Sequence, residues 1–228
     1  MNKLSALMLL MAIPLINSKP SCCQKERKSM VNINGEAEGN SAPSKPSITT
    51  DQHCLLKTTM RKLWSDHGIF THQFIVSYIA GINDVQAITN RLMKNQQDIG
   101  DALIPYYGKS VGQSVANLLK EHIKLAAEVV KEAKAQNDKA LKDADARWHK
   151  NADEIAAFLA KANPSYWDEQ MWKDMLYEHL KLVTNSATTR LNKQWAEDIE
   201  DFDTYYTQIL EMADTLSYGI LYQFPNKF

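Results

Sequence analysis

Apolar residues recur three and four positions apart along most of the chain after residue 51, which is the spacing of one α-helix face. The pattern predicts helices over about 52–80, 85–103, 110–135 and 138–162. A fifth helix starts near 166 or 168, and a sixth follows a turn between 195 and 203 and fades at 223. Gly81, Pro105 and the pair Asn163-Pro164 interrupt the pattern. Short connections favour antiparallel neighbours, so the fold expected is an all-α, up-and-down bundle of about six helices.

A short motif repeats along this pattern and suggests one structural unit used three times. Two apolar residues, a spacer, an acid and a histidine occur at 63–67, 118–122 and 175–179, so the histidines are 55 and 57 residues apart. A second stretch, Lys94 to Ile99, matches Lys150 to Ile155, 56 residues further on. The repeats predict that the bundle consists of three helical hairpins.

The repeats place polar side chains where a helix should be apolar. His67, His122 and His179 each have apolar neighbours three and four positions away, so each histidine lies in the stripe that should face the core. Asn95 and Asn151 lie in the stripes of the intervening helices. Asp98 and Glu154 are one turn beyond them and could reach the same layer. In the sixth helix Met212 aligns with the Asn position, which predicts that the third copy has lost its amide.

Five polar groups in one buried layer need partners, because an unpaired one costs on the order of 1–3 kcal/mol. The leading hypothesis is a transition-metal or small-ligand site that binds zinc, copper, iron or nickel. Its metal ligands would be His67, His122, His179, Asp98 and Glu154, while Asn95 and Asn151 would contact the bound cofactor.

The alternative hypothesis is a non-enzymatic envelope or secreted interaction protein whose polar layer is a structural hydrogen-bond network. A small organic ligand or a catalytic pocket is a third interpretation. A metal site requires Asp98 or Glu154 to face the histidines, whereas an interaction protein requires an exposed apolar patch. Glu-x-x-His, His-Glu-x-x-His, Gly-rich phosphate loops and Gly-x-Ser-x-Gly are all missing from the sequence, so an enzyme is not favoured.

The first fifty residues differ in composition from the helical part. Residues 1–18 resemble a secretory signal peptide, with a basic start and an apolar run too short to span a bilayer. Cleavage after Ser21 would instead leave Cys22 as a lipid-anchored N-terminus, and an uncleaved anchor is a further alternative. Residues 19–50 are predicted to be a flexible linker, and 51–228 the bundle domain. These features predict export to the periplasm or the medium, with no transmembrane span after cleavage.

The net charge of the chain limits the classes of partner that it can bind. The formal net charge is −1, so the chain has no basic footprint for nucleic acid. The protein partner expected for an interaction protein is not identified by the sequence.

A further set of motifs carries a resemblance to known proteins. These motifs are Leu63-Trp64-x-x-His67, Pro105-Tyr106-Tyr107-Gly108, Leu118-Leu119-x-x-His122, Ala162-Asn163-Pro164 and the end Gln223-Phe224-Pro225. With them, residues 63–228 resemble a family of small bacterial helical proteins of unknown function. Members often carry an automatic "glycosyltransferase" label, which these residues do not support. A more distant similarity is to ferritin-like metal-binding bundles, which implies a fold and not a function.

Overall fold

The computed structural model describes residues 50–228, with side chains from residue 52 onward. Five α-helices and one terminal turn of 3-10 helix make up this part of the chain, which contains no strand. The helices are α1 (Thr50–Ala80), α2 (Val85–Lys134), α3 (Asp138–Ala162), α4 (Glu169–Leu191) and α5 (Trp195–Gln223), and the turn is Pro225–Lys227. The predicted leader, the linker and Cys22 lie outside the described residues.

The helices pack up-and-down, each against its neighbours in the chain, and α1 closes the arrangement by packing on both α2 and α5. The core between them is large and aromatic, with Trp148, Trp167, Trp172 and Tyr205 fully buried. None of the helices in residues 50–228 has the length and apolar character needed to cross a membrane.

The longest helix, α2, reverses direction within its own bounds. Gly108 has φ of 83° and ψ of 166°, which are non-helical angles. Gly100 and Gly112 would lie about 18 Å apart along a straight helix, yet a Cβ built on Gly100 would be 2.4 Å from the Gly112 carbonyl oxygen. Lys120 Nζ also donates to Gln97 Oε1 over 2.6 Å. Thus α2 has two antiparallel arms, residues 85–107 and 109–134.

The sequence predicted a helix end before Pro105, and the break instead comes three residues later. Pro105 lies inside the first arm of α2. The reversal occurs at Gly108, because its positive φ strains any residue with a Cβ. The two predicted helices, 85–103 and 110–135, are therefore the two arms of α2.

Helix ends elsewhere follow local side-chain chemistry. Asn137 accepts a hydrogen bond from the Ala140 amide at the start of α3, and Asp168 does the same for Met171 in α4. The turn predicted between 195 and 203 comes earlier in the chain, because α4 ends at Leu191 and α5 already begins at Trp195. The N-cap residue of α5 is Gln194. Asp198 is fully buried and accepts hydrogen bonds from Ser186 and Arg190.

Candidate functional site

The three repeated histidines meet in the middle of the bundle. His67 comes from α1, His122 from the second arm of α2 and His179 from α4, and all three are at most 3 % exposed. The His179 ring lies between the others, with centroid distances of 5.7 Å to His67 and 5.9 Å to His122. The helical pattern places them there because each is in the core-facing stripe of its helix.

Each histidine contacts a side-chain amide that lies 29 residues further along the chain. His67 Nδ1 is 3.2 Å from Gln96 Nε2. His122 Nδ1 is 2.9 Å from Asn151 Oδ1, and His179 Nδ1 is 3.3 Å from Gln208 Oε1. The same pair of groups therefore recurs at the same separation in three places.

The amides also bond to the backbone of the helix that carries the histidine. Asn151 Nδ2 donates to the Leu118 carbonyl over 3.3 Å, and Gln208 Nε2 donates to the Met175 carbonyl over 2.9 Å. Both carbonyls belong to the residue four positions before the histidine. A carbonyl oxygen has two lone pairs, so it can accept this bond in addition to its helical one. Each of these two amides thereby bonds to the helix of its histidine through both its oxygen and its NH₂ group.

The first copy divides this task between two residues. Asn95 Nδ2 donates to the Leu63 carbonyl over 2.9 Å, while Gln96 contacts His67. Gln96 Nε2 donates to Asn95 Oδ1 over 3.1 Å, which joins the two amides. Both amide side chains are fully buried.

The hydrogen bonds of Asn151 and Gln208 assign the ring protons of His122 and His179. Because Asn151 uses its NH₂ group on a carbonyl, its oxygen accepts from Nδ1–H of His122. The Trp148 indole N–H then donates to His122 Nε2 over 3.2 Å, so both ring nitrogens are occupied. By the same reasoning His179 carries its proton on Nδ1. At His67 the two hydrogens of the Gln96 NH₂ group face three groups, His67 Nδ1, the Leu92 carbonyl and Asn95 Oδ1, so these contacts do not assign the ring proton.

Burial keeps the three rings uncharged. Desolvation first and then the nearby His122 lower the pKa of His67 to about 3, although its contact with Gln96 opposes the shift. Desolvation likewise lowers the pKa of His122 to about 4, although its bond to Asn151 opposes the shift. His179 has a pKa well below the usual histidine value, from desolvation first and then from both other histidines. At neutral pH the site is therefore a cluster of neutral imidazoles.

The predicted carboxylates do not join the histidines. Asp98 Oδ1 accepts from Lys94 Nζ over 2.7 Å, and Glu154 lies 3.8 Å from Lys150, each pair being four residues apart on one helix. Their side chains are 27 % and 51 % exposed. Within residues 50–228 no group of three or more His, Cys, Asp or Glu side chains is placed to hold a metal ion.

Sequence reasoning found the histidines, Asn95 and Asn151, but missed two amides of the layer. The expectation that the third copy lacks an amide is wrong, because Gln208, one turn before Met212, fills that position. Gln96 was overlooked beside Asn95. A search for an amide 29 residues after each histidine would have found both, since the three separations are equal.

Comparisons of the chain with protein-family models, with curated proteins and with solved structures returned no match. The resemblance drawn from the sequence motifs therefore stays a prediction.

Proposed function

We propose that this chain is a non-enzymatic, exported interaction protein whose buried histidine–amide layer is a structural part of the bundle. The observation that carries the proposal is the bond between a histidine Nδ1 and an amide 29 residues later, made three times. In the second and third copies that amide also reaches a carbonyl on the histidine's helix, and in the first copy the adjacent Asn95 does so. A slip of one helix against its partner would break both bonds, so the layer favours one register.

The same observation supports a repeat architecture of three helical hairpins. The first hairpin would be α1 with the first arm of α2, the second the other arm with α3, and the third α4 with α5. In each hairpin the histidine is on the first helix and the amide on the second. Because a single hairpin cannot bury its apolar face, three copies packed side by side would share one core.

The hydrogen bonding of the rings favours this structural role over a metal centre. A transition metal binds an imidazole through a free nitrogen lone pair. The Nε2 lone pair of His122 already accepts from Trp148, and its Nδ1 donates to Asn151. A metal bound there would have to displace the buried indole N–H, which would then lose its partner.

An exposed aromatic patch on the outside of the bundle supports a role in binding a protein. Tyr166, Tyr218 and Tyr222 are 44 % to 60 % exposed. Their rings lie in contact, with centroid distances of 5.6 Å from Tyr166 to Tyr222 and 6.4 Å from Tyr218 to Tyr222. Tyrosine is enriched at protein interfaces because its ring is apolar and its hydroxyl can form hydrogen bonds. This patch is the surface expected to meet a partner.

Metal analysis tests the structural role of the layer. The full chain, purified without chelator or metal-affinity resin, would be incubated with zinc, copper, iron and nickel, desalted and examined by inductively coupled plasma mass spectrometry. We expect no stoichiometric metal. About one ion per chain, lost in a His67/His122/His179 triple variant and kept in the control His149→Asn, a half-buried histidine outside the layer, would refute the proposal.

A further inference from the structure

A single residue joins the first two helices of the bundle to the rest of the chain. We call α1 with the first arm of α2 the first hairpin; it ends at residue 107, and the second arm begins at residue 109. Gly108 between them, the hinge, is the one residue of α2 with non-helical backbone angles. The other connections between the helices contain three to six residues each. A change at the hinge alone would therefore join the two arms into one straight helix.

The hinge is less constrained than the other turns. The turn after α1 closes with a hydrogen bond from the Ile82 amide to the Ser77 carbonyl over 2.9 Å, and the Asn137 side chain caps α3. Gly108 by contrast is exposed, and a Cβ built on it would meet nothing within 4 Å. The surroundings of the hinge therefore leave room for a straight α2.

The backbone angles of the hinge determine which residue types hold the turn. A φ of 83° with a ψ of 166° lies in a region that essentially only glycine adopts. A residue with a Cβ at this position would favour helical angles instead. A straight α2 would also pair the first amide groups of the second arm, because the first turn after a break has no intrahelical acceptors. Glycine at position 108 thus favours the turn over the straight helix.

The contacts between the two arms of α2 are symmetric about the hinge. Gly100 faces Gly112. Gln97 faces both Gln113 and Lys120. The midpoint of each of these pairs falls within three residues of the hinge. Two straight α2 helices from two copies, antiparallel around a two-fold axis near the hinge, would therefore form the same contacts between copies.

The other contacts of the first hairpin would also re-form between two copies. Arg61 Nε donates to Asp214 Oδ1 over 2.7 Å, and Lys57 Nζ lies 3.2 Å from Asp214 Oδ2. The Tyr206 hydroxyl donates to Ser65 Oγ over 2.9 Å. Each of these pairs joins α1 to α5. Exchange of the first hairpin between two copies would keep all of them, so its main cost is that of bringing two chains together.

Exposed apolar side chains lie at the end of the bundle that carries the hinge. The Tyr107 hydroxyl donates to Gln223 over 2.7 Å, which places the end of α5 beside the hinge. Leu55, Tyr166 and Tyr222, at the same end, are 47 % to 67 % exposed. A straight α2 would lead from one bundle into the next across this end, so the two bundles would cover these side chains. Burial of apolar surface would offset part of the cost of association.

We propose that a second copy of this chain is a partner, bound by exchange of the first hairpin when α2 straightens at Gly108. The closed monomer and the exchanged dimer use the same contacts within each bundle, and glycine at the hinge favours the monomer. Alanine at the hinge would strain the closed turn by about tenfold in each chain, so Gly108→Ala should raise the association constant about a hundredfold. The exchange does not depend on the role of the histidine layer.

Size-exclusion chromatography with light scattering tests the proposal on the full chain, unfolded in urea and refolded at a series of chain concentrations. We expect wild type to be mainly monomeric, and Gly108→Ala to dimerise at concentrations about a hundredfold lower. Gly108→Lys should dimerise as well, so the test does not depend on the folding of one variant. Gly81→Ala is the matched control, because Gly81 also has a positive φ and open space around it but lies in a turn of four residues. It should behave like wild type.

Zero-length crosslinking distinguishes exchange from side-by-side association. Isotope-labelled and unlabelled Gly108→Ala chains would be mixed, unfolded and refolded together, and the dimer treated with a carbodiimide, which joins Lys57 to Asp214. In an exchanged dimer these residues belong to different chains, so about half of the crosslinked peptide pairs should combine the two labels.

Two results would overturn the exchange: hinge variants that circular dichroism shows to be folded and that stay monomeric, or a dimer whose crosslinked pairs never combine the labels. Equal dimerisation of Gly81→Ala and Gly108→Ala would overturn the role of the hinge.

Discussion

Acid should destabilise this protein through its buried histidines. His67, His122 and His179 have folded-state pKa values below that of a free histidine, about 3 for His67 and about 4 for His122. The unfolded chain binds protons on these residues as pH falls through about 6.5, whereas the folded chain does not. Their contribution to stability is therefore intact above pH 6.5 and is lost as pH falls towards 4.

The size of the effect follows from proton linkage. At pH 5 an unfolded histidine of pKa about 6.5 is about 1.5 pH units below its midpoint. Protonation then stabilises the unfolded state by about 2 kcal/mol per residue. Three residues give about 6 kcal/mol, which is a large fraction of the 5–15 kcal/mol typical of a folded domain.

Urea unfolding followed by circular dichroism between pH 8 and pH 5 measures this directly. The free energy of unfolding should fall with a limiting slope of three protons, or about 4 kcal/mol per pH unit, between pH 5.5 and 5. His122→Leu should reduce the slope to two protons, whatever it does to the overall stability. His149→Asn is the matched control, because His149 lies outside the histidine layer and its side chain is 37 % exposed. A flat profile, or a slope unaffected by His122→Leu, would refute neutral buried histidines.

Two further predictions concern a close contact and the exposed patch. A Cβ on Gly219 would lie 1.8 Å from Trp167 Nε1, so Gly219→Ala should destabilise by about 1–3 kcal/mol in urea unfolding. Gly68→Ala, whose Cβ would be 3.2 Å from a flexible Ile209 methyl group, should be neutral or stabilising. Equal changes in the free energy of unfolding for Gly219→Ala and Gly68→Ala would refute the role assigned to the contact with Trp167. A photo-crosslinking amino acid in place of Tyr222 should capture one discrete protein in the producing cells, because Tyr222 lies in the exposed aromatic patch. The same amino acid in place of Lys150, which is exposed on α3, should capture none. Equal labelling from both positions would contradict the proposed binding face.

The sequence allowed the helices to be predicted well wherever a residue stops a helix by its own chemistry. The first helix ends at Ala80 because Gly81 adopts a φ of 72°. Helix α3 ends at Ala162, before Asn163 and Pro164. At Pro105 the same reasoning placed a helix end too early, because a proline removes one amide donor without preventing the preceding turn. The break falls where the backbone needs glycine, at Gly108.

The histidine layer was predictable from the periodicity of the sequence. The amides that bond to it were not, because they depend on which side chains are long enough to reach a histidine ring. Asn151 and Gln208 make the same two bonds although their side chains differ by one methylene. Aligning the apolar stripes of the helices placed Met212 at the position of the amide in the third copy. A stripe shows which helix face is buried, but not which side chain reaches a given ring. A cavity of about 250 Å³ that lies one helical turn from the histidine layer could not be predicted at all, because its volume depends on how the two arms of α2 pack against α1 and α4.

The differences between the three copies show how a repeated core can hold both a rigid layer and an open space. At the histidine level each copy supplies an amide 29 residues later, so all three positions are constrained alike. One turn further on, the equivalent residues are Thr71, Ala126 and Val183, which differ in size and polarity. In the structural role proposed for the layer, its hydrogen bonds fix the register of the helices, so the next layer does not need to be close-packed to define the fold. A cavity can therefore lie beside the histidines at a cost that the layer's hydrogen bonds help to offset.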